Sequence, residues 1–152
     1  MDYALKLKEF KSLINNIDYE ITLLSQTSSY LYNNIENVSW VGYYLFKDDK
    51  LILGPFNGNI ACEEIKIGNG VCGSSFLNDT VLNVKDVHLF KGHIACDNNT
   101  NSEIVLPLHK NNIKYGVLDI DSYDFERFDL DLEEFLKNVA KLIDEKLNNI
   151  KG

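Results

Sequence analysis

The sequence predicts an α+β domain in which a central antiparallel sheet is covered by helices from the two ends of the chain. Three observations carry this. Residues 1–36 and 129–150 repeat their apolar side chains at helical spacings of three and four. Residues 37–128 hold runs of β-branched and aromatic residues bounded by short polar or glycine turns. Several of those turns have hairpin length, which makes neighbouring strands antiparallel. Helices, then strands with helical inserts, then a helix is the order of an α+β fold rather than of alternating βα units. The expected organisation is one domain over 1–152, with N-terminal helices at 1–36, sheet and site loops at 37–128, and a C-terminal helix at 129–150.

Along the chain, Leu5, Leu7, Phe10, Leu13, Ile14 and Ile17 form the apolar stripe of a first helix over residues 2–17. Asp18 is the expected cap of a second helix ending near Asn33, with Ile21, Leu24, Leu31 and Ile35 turned inward. Val38 to Phe46 reads as a strand, Lys47 to Lys50 as a hairpin turn, and Leu51 to Gly54 as a returning strand that Gly54-Pro55 is expected to break. Glu63 to Ile67 reads as a short strand, Val71 to Leu77 as a short helix, and Val81 to Val84 as another strand. A long loop runs from Lys85 to Ser102, and loops beyond about 12–15 residues are usually functional or disordered. Glu103 to His109 and Lys114 to Ser122 are two further strands, and Asp129 caps a last helix carrying Leu132, Phe135, Leu136, Val139, Leu142, Ile143 and Leu147.

A chain of 152 residues suggests one domain with room for a real core. Its composition, 45% hydrophobic and 25% charged, excludes a disordered chain. Fifteen Lys and Arg against 23 Asp and Glu leave a net charge of −8. That charge disfavours nucleic acid and anionic membrane as partners, since phosphate binding rests on Lys and Arg. The start of the chain lacks the pattern of a secretory signal, and no stretch approaches the ~18 apolar residues of a membrane span. The expected location is cytoplasmic. Three cysteines in a reducing compartment argue against a structural disulfide framework.

Cys62, Cys72 and Cys96 nevertheless cluster in one stretch. A buried cysteine is often simply a small hydrophobe. A zinc site of the three with His88 or His93 lacks the closely paired ligands of most structural zinc sites, so no metal is expected. Redox chemistry is the other reading, in which one thiolate attacks and a second cysteine resolves the product. Local rules favour Cys72 as the most acidic thiol, at a helix N-terminus, over Cys96, whose neighbour Asp97 is anionic. The loop Gly92 to Glu103 is rich in turn-forming side chains and carries Cys96 into a buried strand, where a rigid scaffold positions reactive groups. Asp119 and Asp121, two apart on a strand, share a face, as do Trp40 and Tyr44, four apart on another. Acids on an apolar strand line either a solvated face or a pocket for a cation, and aromatics line either core or a ligand wall. His109 precedes a turn and is expected to be exposed; the three histidines receive no catalytic role.

Trp40-Val41-Gly42-Tyr43-Tyr44, Gly54-Pro55-Phe56 with Ala61-Cys62, and Gly70-Val71-Cys72-Gly73 are the first motifs of a wider resemblance. Asp86-Val87-His88, Gly92-His93-Ile94-Ala95-Cys96-Asp97, Asn101-Ser102-Glu103-Ile104-Val105 and Gly116-Val117-Leu118-Asp119-Ile120-Asp121-Ser122 continue it. Over about residues 38 to 128 the chain resembles the free methionine-(R)-sulfoxide reductase family, which is built on the GAF fold. The resemblance implies a catalytic Cys96 and a resolving Cys62, with Cys72 a second candidate for the resolving role. It implies Glu103, Asp119 and Asp121, and more weakly Asp86, as substrate-binding acids, and Trp40 and Tyr44 as the wall around the methyl-sulfoxide end. It also implies a GAF-like single domain, no cofactor, free methionine-(R)-sulfoxide as substrate and a thioredoxin-like dithiol reductant. A homodimer through the N-terminal helices is a further expectation. The alternatives are a GAF module sensing a small ligand such as a cyclic nucleotide, and a redox-sensing protein whose cysteines switch an interface.

Overall fold

The computed structural model of the chain describes residues 1–93 and 96–152. Its elements run α1 (Tyr3–Asn15), α2 (Glu20–Asn34), β1 (Trp40–Lys47), β2 (Lys50–Asn57), β3 (Glu64–Lys66), α3 (Gly70–Asn78) and β4 (Leu82–Val84). A 3-10 turn (Val87–Leu89), β5 (Ser102–Lys110), β6 (Ile113–Ser122) and α4 (Leu130–Leu147) complete them. The strands form one sheet in the order β3-β2-β1-β6-β5-β4, with every neighbouring pair antiparallel.

Alternation across the pleat sorts the strand side chains between two cores. Val41, Tyr43, Ile104, Leu106, Leu118 and Ile120 face α1, α2 and α4, where Phe10, Leu23, Leu31, Leu132, Phe135, Leu136, Val139 and Ile143 close over them. Each such side chain contributes about 1.5–3 kcal/mol by leaving water, so this layer holds the sheet firmly. Trp40, Tyr44, Val105 and Val117 point to the other face, onto Val71, Cys72 and Phe76 of α3. Asp129 caps α4 as expected, its carboxylate accepting from the Leu132 N–H at 2.9 Å.

Three local expectations are corrected. Asp18 does not cap α2: Tyr19 is the first flanking residue and makes no side-chain cap bond. The chain there is pinned instead to the C-terminus, with Tyr19 bridged to Lys151 and the Lys151 N–H donated to the Asp18 carbonyl. Ile21, expected inward, is 64% exposed, because Leu23 and Leu24 carry the buried stripe. Gly54-Pro55 does not end β2. Gly42 pairs with Phe56 and Tyr44 with Leu53, so Gly54 and Pro55 together oppose Tyr43 in a bulge. β3 pairs only with Lys50 to Ile52, so proline's missing N–H falls where β2 is an edge.

Candidate active site

The register of the three central strands builds the site row by row. Glu103 on β5 lies opposite Asp121 on β6, and Asp121 lies opposite Trp40 on β1. The next row on this face is Val105, Asp119 and Gly42, and the third is Pro107, Val117 and Tyr44. Two acids side by side and a third one row away crowd like charges that a sheet would ordinarily keep apart. Gly42 is the counterpart on the aromatic side. A Cβ there would come within 2.6 Å of the Trp40 ring, so the glycine gives the indole room to lie over the sheet. Trp40 then stacks near Tyr44 and Phe56, with ring centroids 6.0 and 5.3 Å away.

Loops and α3 close the other sides. The cavity is lined by Trp40 and Tyr44, by Ile60 and Ala61 before Cys62, by Asn69 to Cys72 at the start of α3, and by His93, Cys96, Asp97 and Thr100 above Glu103, Asp119 and Asp121. The sulfurs of Cys62 and Cys96 are bonded, with Cα atoms 5.4 Å apart, a normal span for a disulfide. The Tyr44 hydroxyl donates to the Cys62 carbonyl at 2.8 Å and the Trp40 indole N–H to the Asn59 carbonyl at 3.0 Å, so the pocket wall also fixes the Cys62 loop.

The electrostatics follow from burial. Burial raises the Asp119 carboxyl well above the ordinary range, and the charges of Asp121 and Glu103 push further. Asp121 is raised by the same burial and by Glu103. Oδ1 of each aspartate has no hydrogen-bond partner among the described residues, so the pocket presents buried acceptors and exchangeable protons. Cys72 corrects the local expectation of an acidic thiol. Burial raises it, and Asp119, Glu103 and Asp121 add to the effect, overriding the helix N-terminus. Its Sγ lies 3.9 Å from Glu103 Oε2 and it forms no disulfide. Ligand atoms of Cys72, Glu103 and Asp119 lie within 4.8 Å of one another, close enough to share a small cation.

Of the residues singled out in the sequence, Cys62 and Cys96 meet, and Trp40, Tyr44, Cys72, Glu103, Asp119 and Asp121 line one cavity with Cys96. Of the two alternatives for Asp119 and Asp121, the pocket is the one the strands build, and the solvated face is not. Asp86 stands apart: its carboxylate accepts from the His88 N–H at 3.0 Å and caps the 3-10 turn, a local use that removes it from the cavity. The zinc reading fails in this oxidised state, because Cys62 and Cys96 are spent on each other. His93, given no role from sequence, lines the cavity with Nε2 4.0 Å from Glu103 Oε1. Thr100 and Asn69 to Val71 also line it; the helix start at Val71 is expected from sequence, but its place in the cavity wall comes from packing.

The comparisons agree with this geometry. The profile of the GAF domain family matches residues 17–145. The chain is 43% identical to the free methionine-R-sulfoxide reductase of Escherichia coli strain K12, over 95% of this chain and 88% of that one. It superposes on the reduced form of fRMsr of Staphylococcus aureus with a TM-score of 0.93 at 45% identity, covering 96% of this chain and 95% of the other. The free methionine-R-sulfoxide reductase of Neisseria meningitidis, in complex with its substrate, gives a TM-score of 0.92 at 33% identity, over 97% and 89% of the two chains. A paired-cysteine pocket on this sheet, matched along nearly the whole chain, means that the protein belongs to the GAF domain family and, within it, to the free methionine-R-sulfoxide reductases.

Proposed function

We propose that the protein reduces free methionine-(R)-sulfoxide to methionine, with Cys96 as the attacking group and Cys62 as the resolving one. The observation that carries this is the Cys62–Cys96 bond, whose Cys96 lines a cavity together with Trp40, Tyr44 and three acids. A free amino acid suits those walls. Its ammonium would meet Asp119, whose buried oxygen has no hydrogen-bond partner among the described residues, and a cation there restores the carboxylate. Its carboxylate would meet the N–H groups at the start of α3, where Asn69 makes no side-chain cap bond. The methyl-sulfinyl end would lie against the Trp40 and Tyr44 rings.

In the first step the Cys96 thiolate attacks the sulfoxide sulfur while Glu103 or Asp121 gives a proton to its oxygen. The oxygen passes to Cys96 as a sulfenic acid, and methionine leaves reduced by two electrons. The Cys62 thiolate then attacks the sulfenyl sulfur, forming the disulfide and releasing the oxygen as water. A thioredoxin-like dithiol supplies two electrons and two protons to restore both thiols, which suits a cytoplasmic location. Exposed Leu5 and Ile21 support the homodimer through α1 and α2.

Incubation of the protein with methionine-(R)-sulfoxide and dithiothreitol, with methionine read by mass spectrometry, tests the reading. Turnover by the native chain and none by Cys96→Ser is expected. Absence of turnover in the native chain, or full turnover in the variant, rules it out.

A further inference from the structure

Resolution requires two separate loops to bring their sulfurs together, and one phenol hydroxyl lies between them. Tyr123 directly follows β6, two residues after Asp121. Its hydroxyl donates to Asp97 Oδ2 at 3.0 Å and accepts from Asn59 Nδ2 at 3.5 Å. Asp97 follows Cys96, and Asn59 lies three residues before Cys62. A phenol is suited to this place because one oxygen both donates and accepts.

Each leg is braced behind the contact. Asp97 Oδ1 accepts from the Asn99 N–H at 2.9 Å, closing a local turn that sets the direction of the carboxylate. The Asn59 carbonyl accepts from the Trp40 indole. Tyr123 is itself fixed, its carbonyl accepting from Asn101 Nδ2 at 2.7 Å beside the Asn101 N–H bond to the Ser122 carbonyl. The tyrosine is half-exposed and is not among the residues that line the cavity, and its hydroxyl bonds to Asp97 and Asn59 rather than to a cysteine.

We infer that Tyr123 is a positioning residue for the second half of the reaction, holding the Cys62 and Cys96 loops together so that the disulfide closes. This rests on the function proposed above. The step served is loss of the Cys62 thiol proton to solvent and attack of the thiolate on the Cys96 sulfenyl sulfur: the S–S bond forms, the S–O bond breaks, and the departing hydroxide takes up one proton to leave as water. Thiol and sulfenic acid balance within the protein, and no outside oxidant enters. A hydrogen-bonded bridge acts by raising the effective concentration of one loop at the other, without new contact to the reacting atoms.

The test is a single turnover of reduced protein with one equivalent of methionine-(R)-sulfoxide and no reductant. Released methionine reports the attack; thiol alkylation with peptide mapping reports the Cys62–Cys96 bond; dimedone reports surviving sulfenic acid. Tyr123→Phe keeps the ring and removes the hydroxyl. It is expected to leave methionine release at the native rate, slow disulfide closure roughly three- to tenfold, as loss of one or two ordinary hydrogen bonds would, and increase the dimedone adduct at Cys96. Asn59→Ala should slow closure in the same way, and the double variant should be little worse than Tyr123→Phe alone, because both act through one bridge. Native closure and native dimedone capture in Tyr123→Phe overturn the inference. So does a parallel fall in methionine release, which would mean general damage to the pocket. Failure of the native protein to form the Cys62–Cys96 bond after releasing methionine overturns instead the functional reading beneath it.

Discussion

Asp119 carries one buried carboxylate oxygen without a hydrogen-bond partner among the described residues, beside Asp121 and Glu103. Such a group weakens the fold while serving a ligand. Its raised pKa means that the folded state holds a proton which the unfolded state gives up. Stability therefore falls as pH rises from the ordinary aspartate range toward the raised value. Asp119→Asn should raise the melting temperature at pH 8 by a few degrees, given that about 1 kcal/mol moves a domain of this size by roughly 2–4 °C. The gain should vanish near pH 3, where both side chains are neutral, while KM for the sulfoxide rises at least about tenfold. Calorimetry at the two pH values checks the first part, and a lower melting point at pH 8 would contradict it. Glu103→Gln and Asp121→Asn each remove a candidate proton donor and should lower kcat by roughly 10²–10⁴. With Asp121 raised by burial and Glu103, the native rate should decline as pH rises through that raised value, since the protonated form is the active one. A flat profile would remove the carboxylic acid from the chemistry.

At the level of elements, His109 ties three of them together. Expected to be exposed, the ring is only partly so. Its Nδ1 meets Asp144 Oδ2 of α4 at 2.9 Å, and its Nε2 meets Asp79 Oδ1, at the left-handed C-cap of α3, at 2.6 Å. Burial pulls the imidazole pKa down, but the bonds to Asp144 and Asp79 outweigh it and the net direction is up. The stability gained is complete below the unfolded histidine pKa, near 6.5, and is lost as pH rises through the folded value. Charge-assisted bonds are worth about 1.5–3 kcal/mol, and partial solvation reduces this to about 1 kcal/mol. His109→Gln should thus melt a few degrees below native at pH 6, with the gap narrowing above pH 8. A constant gap across that range would mean that the charge contributes nothing.

For the whole molecule, the layer formed by α1, α2 and α4 gives one face of the sheet a continuous apolar cover, while α3 and the two cysteine loops cover the other. The Cys62–Cys96 bond spans 34 residues. Closing a loop of that length removes roughly 3–4 kcal/mol of unfolded-chain entropy. Oxidised protein should therefore melt about 10 °C above reduced protein at this size. Cys62→Ser and Cys96→Ser should abolish that difference, whereas Cys72→Ser should preserve it; its loss in Cys72→Ser would reassign the pair.

The sequence alone determined what depends on local periodicity. Helical spacing located α1, α2 and α4, and the two-residue period of a strand set Asp119 with Asp121, and Trp40 with Tyr44, on common faces. The pairing of Cys62 with Cys96 was legible only through the motifs of a family, because local electrostatics pointed to Cys72. Tertiary structure decided which groups meet. Strand register brought Glu103 beside Asp121 and gave Gly42 its purpose under the indole. Burial beside three acids reversed the expected acidity of Cys72. Loop closure brought Cys62 to Cys96 and Tyr123 between their loops, while the 3-10 turn took Asp86 out of the site. A period of two or four residues is written in neighbouring side chains, whereas register, burial and loop closure arise from contacts distant in sequence and form only when the chain packs.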